Sequence, residues 1–162
     1  MISLNVYLSD KDYKKVTASV PIICVDIVLF NKEENKLGFI RRGTKHALIG
    51  GRIGLGESID EAIKRHLAND VGISEFKYYK CYPQKPVLIH EYDKAKSSEN
   101  EKKRGFDPTK HSIGLTYILA TNQDPVPANE ATDFKWAEKH ELERIDFDFG
   151  QKSVVGELFN LV

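Results

Sequence analysis

A glycine-rich run followed by two acidic residues is the part of this sequence that is most typical of a functional site. Gly50 and Gly51 begin the stretch Gly-Gly-Arg-Ile-Gly-Leu-Gly, which leads directly to Glu57, and Asp70 follows further along. The carboxylates of Glu57 and Asp70 and the loop carbonyls near Gly50 could converge on one hard cation. Magnesium or manganese suits such oxygen donors, because these ions bind through one or two carboxylates together with substrate phosphates.

A helix must carry Asp70, and local signals locate both of its ends. Ser58-Ile-Asp-Glu61 is a capping-box sequence, so the helix is predicted to begin at about Ser58. Gly72 supplies a left-handed residue that ends it. One buried stripe is predicted from apolar residues at four-residue steps, namely Ile59, Ile63 and Leu67. His66 and Asp70 lie one turn apart on a different face of this helix.

Size and charge limit the classes of protein to which the chain can belong. Its 162 residues predict one domain, spanning residues 1–162, that can bury a proper core. The 24 basic and 24 acidic residues give a net charge of zero, which argues against a general nucleic-acid binder or a membrane-surface protein. Any recognition of phosphate must therefore be local.

Cysteine usage and hydropathy predict a cytoplasmic protein. Cys24 and Cys81 lie in apolar or aromatic surroundings without metal-type spacing, so buried reduced thiols are expected rather than a disulfide. The longest apolar run, Val20 to Phe30, is too short to span a bilayer and is interrupted by Asp26. The first residues lack the apolar segment and cleavage site of a signal peptide.

The other elements predict a mixed sheet covered by helices. Ser9 to Val16 is predicted to be a short capped helix, and another helix is predicted to start within Glu138 to Glu143. Lys94 to Pro108 is polar and predicts a mobile loop, while Gly156 to Val162 is either helical or extended. Strands are predicted where β-branched and aromatic residues cluster, at Ile22 to Phe30, Lys36 to Arg42, Phe76 to Tyr82, Val87 to Tyr92, Ile113 to Ala120 and Thr132 to Trp136. Strands that flank a central helix and precede a late one favour an α/β fold.

The loop and helix resemble the Nudix box, a loop-helix-loop motif that holds a divalent metal against a nucleoside diphosphate. The usual frame of this motif is matched by Gly51, Glu57, Arg65, Leu67, Gly72 and Ile73. His66, Asn69 and Asp70 stand where the helix of the motif normally carries three glutamates. The resemblance implies a Nudix-type α/β/α sandwich with a mixed β-sheet and a reduced set of acidic metal ligands.

Within the Nudix superfamily, the chain is most similar to the GDP-mannose mannosyl hydrolase family. The similarity covers nearly all of the chain, including Val25 to Ile27, Gly50 to Arg52 and Pro127 to Trp136. Enzymes of that family direct water to the anomeric carbon of the sugar and release GDP. The resemblance implies a magnesium-dependent hydrolase of a nucleotide sugar, either GDP-mannose or a related GDP-hexose. Manganese is a second suitable ion, and a homodimer is the assembly that the resemblance suggests.

The same resemblance implies a metal-ligand set. The carbonyl of Gly50 and the side chains of Asp70 and Glu130 match the ligands of that family, which has Glu and Gln at the last two positions. The shorter Asp70 side chain can lengthen the bond to the metal. Glu57 is predicted to be functional together with Asp70, because the frame of the motif brings these two acids to the same region.

Substrate contacts are implied in the same way. Arg52 and Arg65 match arginines that stabilise the departing diphosphate, a role for which two-pronged guanidinium pairing with phosphate is well suited. Arg42 matches a residue near the substrate, and Asp26 matches an acid near the sugar or base. Two of these residues have a simpler alternative role. Arg65 could serve solely to anchor the loop through an internal ion pair, and Asp26 could serve solely as a partner of the backbone or of a nearby arginine.

One difference from that family concerns the general base. The family has a His immediately after its last metal ligand, and Ala131 occupies this position here. Loss of a well-placed base typically costs roughly 10²–10⁴-fold in rate. The candidates that could replace it are Glu130, Asp133, His66 and His111, and the sequence does not choose among them.

Three functional hypotheses follow. The first is the nucleotide-sugar hydrolase, whose products are GDP and free sugar. The second is ordinary pyrophosphate cleavage of another nucleoside diphosphate derivative through Glu57 and Asp70, which would release GMP and a sugar phosphate from a GDP-sugar. The third is a non-catalytic nucleotide-binding module, which Ala131, His66 and Asn69 favour.

Overall fold

The structure, a computed structural model, describes residues 9–92, 110–148 and 151–162. Its helices are α1 Asp10–Ser19, α2 Ile59–Val71 and α3 Gln151–Leu161, with a 3₁₀ helix at Lys139–Arg144. Its strands are β1 Ile22–Asn31, β2 Lys36–Arg42, β3 Lys45–Ala47, β4 Ile49–Arg52, β5 Lys77–Tyr78, β6 Leu88–Tyr92, β7 Ser112–Ala120 and β8 Asp133–Ala137. The loop predicted at Lys94 to Pro108 lies outside the described residues.

One mixed sheet contains the eight strands of the described ranges. Its main path runs β3-β2-β1-β7-β5, and β4, β6 and β8 pair with β1, β7 and β2 respectively. Only β1 and β7 run parallel among these described pairs. The end of β1 pairs with β2 while its first half pairs with β4, where Asp26 lies opposite Gly50 and Cys24 opposite Arg52.

Side chains of β1 alternate between two hydrophobic clusters, one on each face of the sheet. Val25, Ile27 and Leu29 face the cluster that contains the buried stripe of α2. Val28 and Phe30 face the cluster that contains the buried side of α3. Since successive strand residues point to opposite faces, helices cover both sides of the sheet. The predicted Nudix-type α/β/α sandwich with a mixed β-sheet is confirmed.

Predictions that depended on local signals are confirmed at the helix ends. Ser58 accepts a hydrogen bond from the Glu61 N–H, and the Glu61 carboxylate accepts one from the Ser58 N–H, which completes the capping box of α2. Gly72 ends α2 at a φ of 66°. Ser9 caps α1 by accepting from the Asp12 N–H.

Other predictions are corrected in detail. The glycine-rich run begins as strand β4 rather than as the predicted loop, because pairing with β1 holds it extended. The strand predicted at Phe76 to Tyr82 is reduced to Lys77–Tyr78, and the helix predicted at Glu138 to Glu143 is a 3₁₀ helix. Gly156 to Val162 belongs mostly to α3. Cys24 and Cys81 are not joined in a disulfide; Cys81 is buried, as predicted, whereas Cys24 is only partly buried. In the described ranges, no helix has the length and apolar character needed to cross a membrane.

Candidate active site

An open cleft lies between the start of β1, strand β4, helix α2 and helix α1. Its volume of about 680 Å³ falls in the range of roughly 300–1,000 Å³ that is typical of small-molecule sites. Most of the predicted site residues line this cleft, namely Arg42, Gly50, Arg52, Arg65, Asp70 and Glu130. Asp26 lines an adjoining recess, which shares Arg42 and Gly50 with the cleft. Glu57 lines neither of them.

Gly50 of β4 lines the cleft, and its carbonyl oxygen accepts a hydrogen bond from Arg42, which lines the cleft as well. Gly50 has a φ of 134° and lies opposite Asp26 in the sheet. A Cβ at Gly50 would collide with the carbonyl oxygen of Val25, so only glycine fits this close approach of β4 to β1. The requirement for glycine here is therefore steric as well as conformational.

Helix α2 presents His66 and Asp70 to the cleft from its polar face. The Asp70 carboxylate is buried, with 9% of its side chain exposed, and its Oδ2 lies 3.6 Å from Nδ1 of His66. The other ring nitrogen of His66 lies 3.3 Å from the Arg52 carbonyl oxygen. His66 thus connects Asp70 on the helix with strand β4. The usual Nudix box has a glutamate at the position of His66.

Glu57 and Arg65 are paired with each other. Arg65 donates to Glu57 from Nε at 2.6 Å and from a terminal nitrogen at 2.8 Å, and the Gly54 N–H donates to the same carboxylate at 2.7 Å. Arg65 also donates to the Arg52 carbonyl at 3.0 Å. The hydrogen bonding from Arg65 is the main reason that the pKa of Glu57 lies below the usual value for a glutamate. The pair ties the loop before α2 to the helix, although Arg65 also lines the cleft.

Arg42 contacts two members of the predicted metal-ligand set. One terminal nitrogen of its guanidinium donates to the Gly50 carbonyl at 3.4 Å, and its Nε lies 3.3 Å from the Glu130 carboxylate. The Glu130 side chain is 71% exposed, whereas the Arg42 side chain is 32% exposed. Arg42 thus supplies a positive charge directly to two of the predicted metal ligands.

Asp26 is a buried carboxyl at the base of the recess. Its Oδ2 has no hydrogen-bond partner among the described residues, and the hydroxyl of Tyr92, which lines the same recess, has none either. Burial raises the pKa of Asp26 to about 6, against the opposing effect of the positive charges of Arg42, His66 and Lys110. Burial likewise raises the pKa of Tyr92. An uncharged phenol and a carboxyl that titrates near neutrality therefore face the recess without partners, as in a site for a polar ligand.

The donor chemistry fits one hard divalent cation. Across the parts of the chain that the structure describes, no three His, Cys, Asp or Glu side chains are grouped so as to hold a metal by themselves. The predicted set needs only two carboxylates, Asp70 and Glu130, and the Gly50 carbonyl, and all three residues line the cleft. Magnesium or manganese commonly binds to so few protein ligands, because water and substrate phosphates complete its coordination.

Two of the four candidates for the general base lie in the cleft. Glu130 and His66 line it, whereas His111 pairs with Glu91 at 3.1 Å and Asp133 accepts from the N–H of Phe134. Ala131, at the position of the base in the similar family, is 4% exposed and packs in the cluster beneath α2. Any base in this cleft must therefore come from a different position.

Helix α1 contributes to the cleft, which the sequence did not predict. Asp10 and Tyr13 line it, and the Arg52 guanidinium lies 5.4 Å from the centre of the Tyr13 ring in a cation–π contact. Asn69 and Asn129 also line the cleft, and the Asn129 amide donates to the Asn69 carbonyl at 2.5 Å. The cap at Ser9 predicted α1, but no local signal predicted where the helix would dock.

Solved structures of Nudix proteins share this fold. A protein described as a possible asymmetric diadenosine tetraphosphate hydrolase, from Jonesia denitrificans, is 23% identical with a TM-score of 0.75, covering 88% of this chain and 94% of that chain. A NUDIX-family hydrolase from Clostridium perfringens is 17% identical with a TM-score of 0.64, covering 88% and 98%. The NUDIX domain of NrtR from Shewanella oneidensis, solved with ADP ribose, is 15% identical with a TM-score of 0.62, covering 95% and 98%.

Sequence comparisons give a family for the chain. A comparison with curated protein sequences found no match. A family model described as "Domain of unknown function (DUF4916)" matches residues 3–159, which is nearly the whole chain. The chain has a Nudix fold, and it belongs to the DUF4916 family.

Proposed function

We propose that this protein is a magnesium-dependent hydrolase of a nucleotide sugar, with a GDP-hexose such as GDP-mannose as the leading candidate substrate. The observation that carries the proposal is the composition of the cleft. The guanidinium groups of Arg42 and Arg52 share its wall with the buried carboxylate of Asp70. This arrangement suits a diphosphate that is neutralised from both sides, by arginine and by a cation held at acidic residues.

The fold neighbours support a nucleoside diphosphate derivative as the substrate class. One is described as a possible asymmetric diadenosine tetraphosphate hydrolase and another was solved with ADP ribose, so both descriptions concern derivatives of nucleoside phosphates. The volume of the cleft, about 680 Å³, is adequate for a ligand of that size. The sugar or base is proposed to lie toward the recess, where the buried Asp26 carboxyl can accept from hydroxyl or N–H groups.

Residues of the chain have distinct roles in the proposed reaction. Arg52 pairs with the diphosphate and stabilises the charge that develops as GDP departs, while Arg65 holds the end of strand β4, where Arg52 lies. A divalent cation held by Gly50, Asp70 and Glu130 would neutralise further charge on the same leaving group. Glu130 or His66 would take a proton from the water that attacks the anomeric carbon, since both line the cleft.

The position of Glu57 favours this reaction over pyrophosphate cleavage. The pyrophosphatase hypothesis needs Glu57 and Asp70 together at the substrate. The Glu57 carboxylate instead accepts hydrogen bonds from Arg65 and from the Gly54 N–H. Glu57 is not among the described residues that line the cleft.

A non-catalytic nucleotide-binding module is the second candidate. The observation that favours it is Ala131, which packs in the core and offers no basic group to water. This candidate shares the same cleft and the same arginines. It differs from the first in predicting saturable binding of nucleotide sugars without turnover.

Product analysis in ¹⁸O-labelled water separates these functions. The purified protein is incubated with magnesium and a panel that includes GDP-mannose, GDP-glucose, ADP-ribose and diadenosine tetraphosphate. The expected result is GDP and a free hexose that carries the label. Labelled GMP or labelled sugar phosphate would instead assign phosphorus–oxygen cleavage, and binding of GDP-hexose without any product would assign the non-catalytic module.

A further inference from the structure

Arg42 bridges two of the three residues proposed to hold the divalent cation. It ends β2, and its guanidinium reaches the Gly50 carbonyl on β4 at 3.4 Å and the Glu130 carboxylate before β8 at 3.3 Å. The side chain thereby neutralises the acid that a divalent cation would otherwise neutralise. A guanidinium carries a fixed positive charge, so it and a divalent cation repel each other at the same donors.

The contacts that hold Arg42 in this position are weak. Both distances exceed the usual range for strong charge-assisted hydrogen bonds, roughly 2.7–2.9 Å. The Nε atom is buried, yet it makes no hydrogen bond within the described part of the chain. Its partner Glu130 is largely exposed, and exposed ion pairs contribute little free energy. Arg42 can therefore leave these donors at small cost when a better partner arrives.

A diphosphate is such a partner, because its oxygens match the planar fork of a guanidinium and carry more charge than one carboxylate. Arg42 lines both the cleft and the recess, so it can turn toward a ligand in either space without leaving the site. Once it pairs with phosphate, Gly50 and Glu130 lose the competing cation.

We propose that Arg42 is a resident counter-ion of the Gly50 and Glu130 donors and that a nucleoside diphosphate draws it away, so that divalent metal and nucleotide bind cooperatively. This inference rests on the proposed function, because it assumes that both ligands bind in this cleft. Reciprocity is required: if nucleotide tightens metal binding, metal must tighten nucleotide binding by the same factor.

The test measures binding rather than catalysis. Manganese binding to the full chain is followed by electron paramagnetic resonance without nucleotide, for the wild type, Arg42→Gln and Arg41→Gln. Arg41 is the matched control, since its side chain is exposed and lies outside the cleft. Arg42→Gln is expected to bind manganese roughly 5–20-fold more tightly than the wild type. Arg41→Gln is expected to stay within about twofold, because screened surface charge has little effect.

The second measurement concerns the coupling. GDP affinity is measured by calorimetry with and without saturating manganese, with a correction for the manganese–GDP complex that forms in solution. Manganese should strengthen GDP binding to the wild type, and this gain should shrink in Arg42→Gln. Arg42→Lys, which keeps the charge but loses the fork, should show an intermediate effect and serves if Arg42→Gln fails to fold.

The possible failures are distinguishable. Equal manganese affinity in Arg42→Gln and Arg41→Gln, or no detectable manganese binding by either, would overturn the role of Arg42. A wild type that binds manganese but no nucleotide of the panel would overturn the proposed function. If nucleotide binds with the same affinity whether or not manganese is present, the inferred cooperativity is wrong even where the proposed function stands.

Discussion

Arg65 on helix α2 holds the Glu57 carboxylate with two hydrogen bonds, 2.6 Å and 2.8 Å long, in a side-by-side pair. Glu57 is only 16% exposed, and the Gly54 N–H completes its hydrogen bonding. Through its further bond to the Arg52 carbonyl, Arg65 connects three parts of the site: strand β4, the loop before α2 and the helix itself. Glu57 and Arg65, which are eight residues apart in sequence, thus act together to fix the shape of the cleft.

Arg65→Lys is predicted to lower the free energy of unfolding by about 1–3 kcal/mol, because an ammonium group cannot reproduce the two-pronged pair with Glu57. Denaturant unfolding measures the change. Lys64→Gln is the control: Lys64 neighbours Arg65 on the helix and pairs with Asp60, but its side chain is 60% exposed. A loss below about 0.5 kcal/mol is expected for it. Equal losses in both variants would contradict the anchoring role of Arg65.

Asp26→Asn is predicted to change how stability depends on pH. Burial raises the pKa of Asp26 from 3.8 to about 6, so the folded form binds more protons than the unfolded chain between these values. The contribution of Asp26 to the free energy of unfolding is therefore fully present below pH 3.8, and it declines as the pH rises to about 6.

The Asn variant should lack this decline and should be more stable than the wild type above pH 6, by about 1–3 kcal/mol. Unfolding curves recorded from pH 4 to pH 8 test this. Asp124→Asn, at an exposed position, should keep the wild-type dependence. Parallel pH profiles for the wild type and Asp26→Asn would show that Asp26 does not titrate in this window.

Gly50→Ala is predicted to destabilise the protein by about 3 kcal/mol or more, since the added Cβ collides with the Val25 carbonyl at a φ of 134°. Gly43→Ala provides the comparison. Gly43 also has a positive φ, 60°, but its Cβ would meet no described atom within 4 Å. That change should cost about 1 kcal/mol, the strain of the left-handed backbone alone. Thermal unfolding should rank the two variants clearly, and a reversed rank would refute the steric argument.

Asp70→Asn is predicted to weaken manganese binding by roughly 10–100-fold and to abolish magnesium-dependent turnover, because it removes the one buried carboxylate of the ligand set. Glu75→Gln changes the charge by the same amount at an exposed position outside the cleft and should leave both quantities unchanged. Unaltered manganese affinity in Asp70→Asn would remove Asp70 from the ligand set.

Removal of divalent metal with a chelator is predicted to stop turnover, with recovery on addition of magnesium or manganese. Calcium should restore less activity, because it prefers longer bonds and more ligands than two carboxylates and a carbonyl provide. Turnover is followed by release of GDP. Full activity in the presence of excess chelator would refute the metal requirement while leaving the cleft as the binding site.

Local signals accounted for the elements whose ends depend on neighbouring residues. The capping box at Ser58 and the left-handed Gly72 fixed helix α2 because both act within one turn of the chain. The short strands around the glycine-rich run were not predicted, since β4 owes its extended form to pairing with β1, a distant segment. The same reason explains why the strand at Lys77–Tyr78 is shorter than its composition indicated.

Motif spacing and capping are properties of the chain alone, so the fold class, the helix that carries Asp70 and the glycine-rich run before it could be predicted from the sequence. The surroundings of each charged group, in contrast, depend on how the chain folds. The fold pairs Glu57 with Arg65, places Arg42 between Gly50 and Glu130, and leaves Oδ2 of the buried Asp26 without a hydrogen-bond partner among the described residues. Pairing and burial depend on which distant segments meet, and they determine whether an acid is available to a metal, a substrate or a proton.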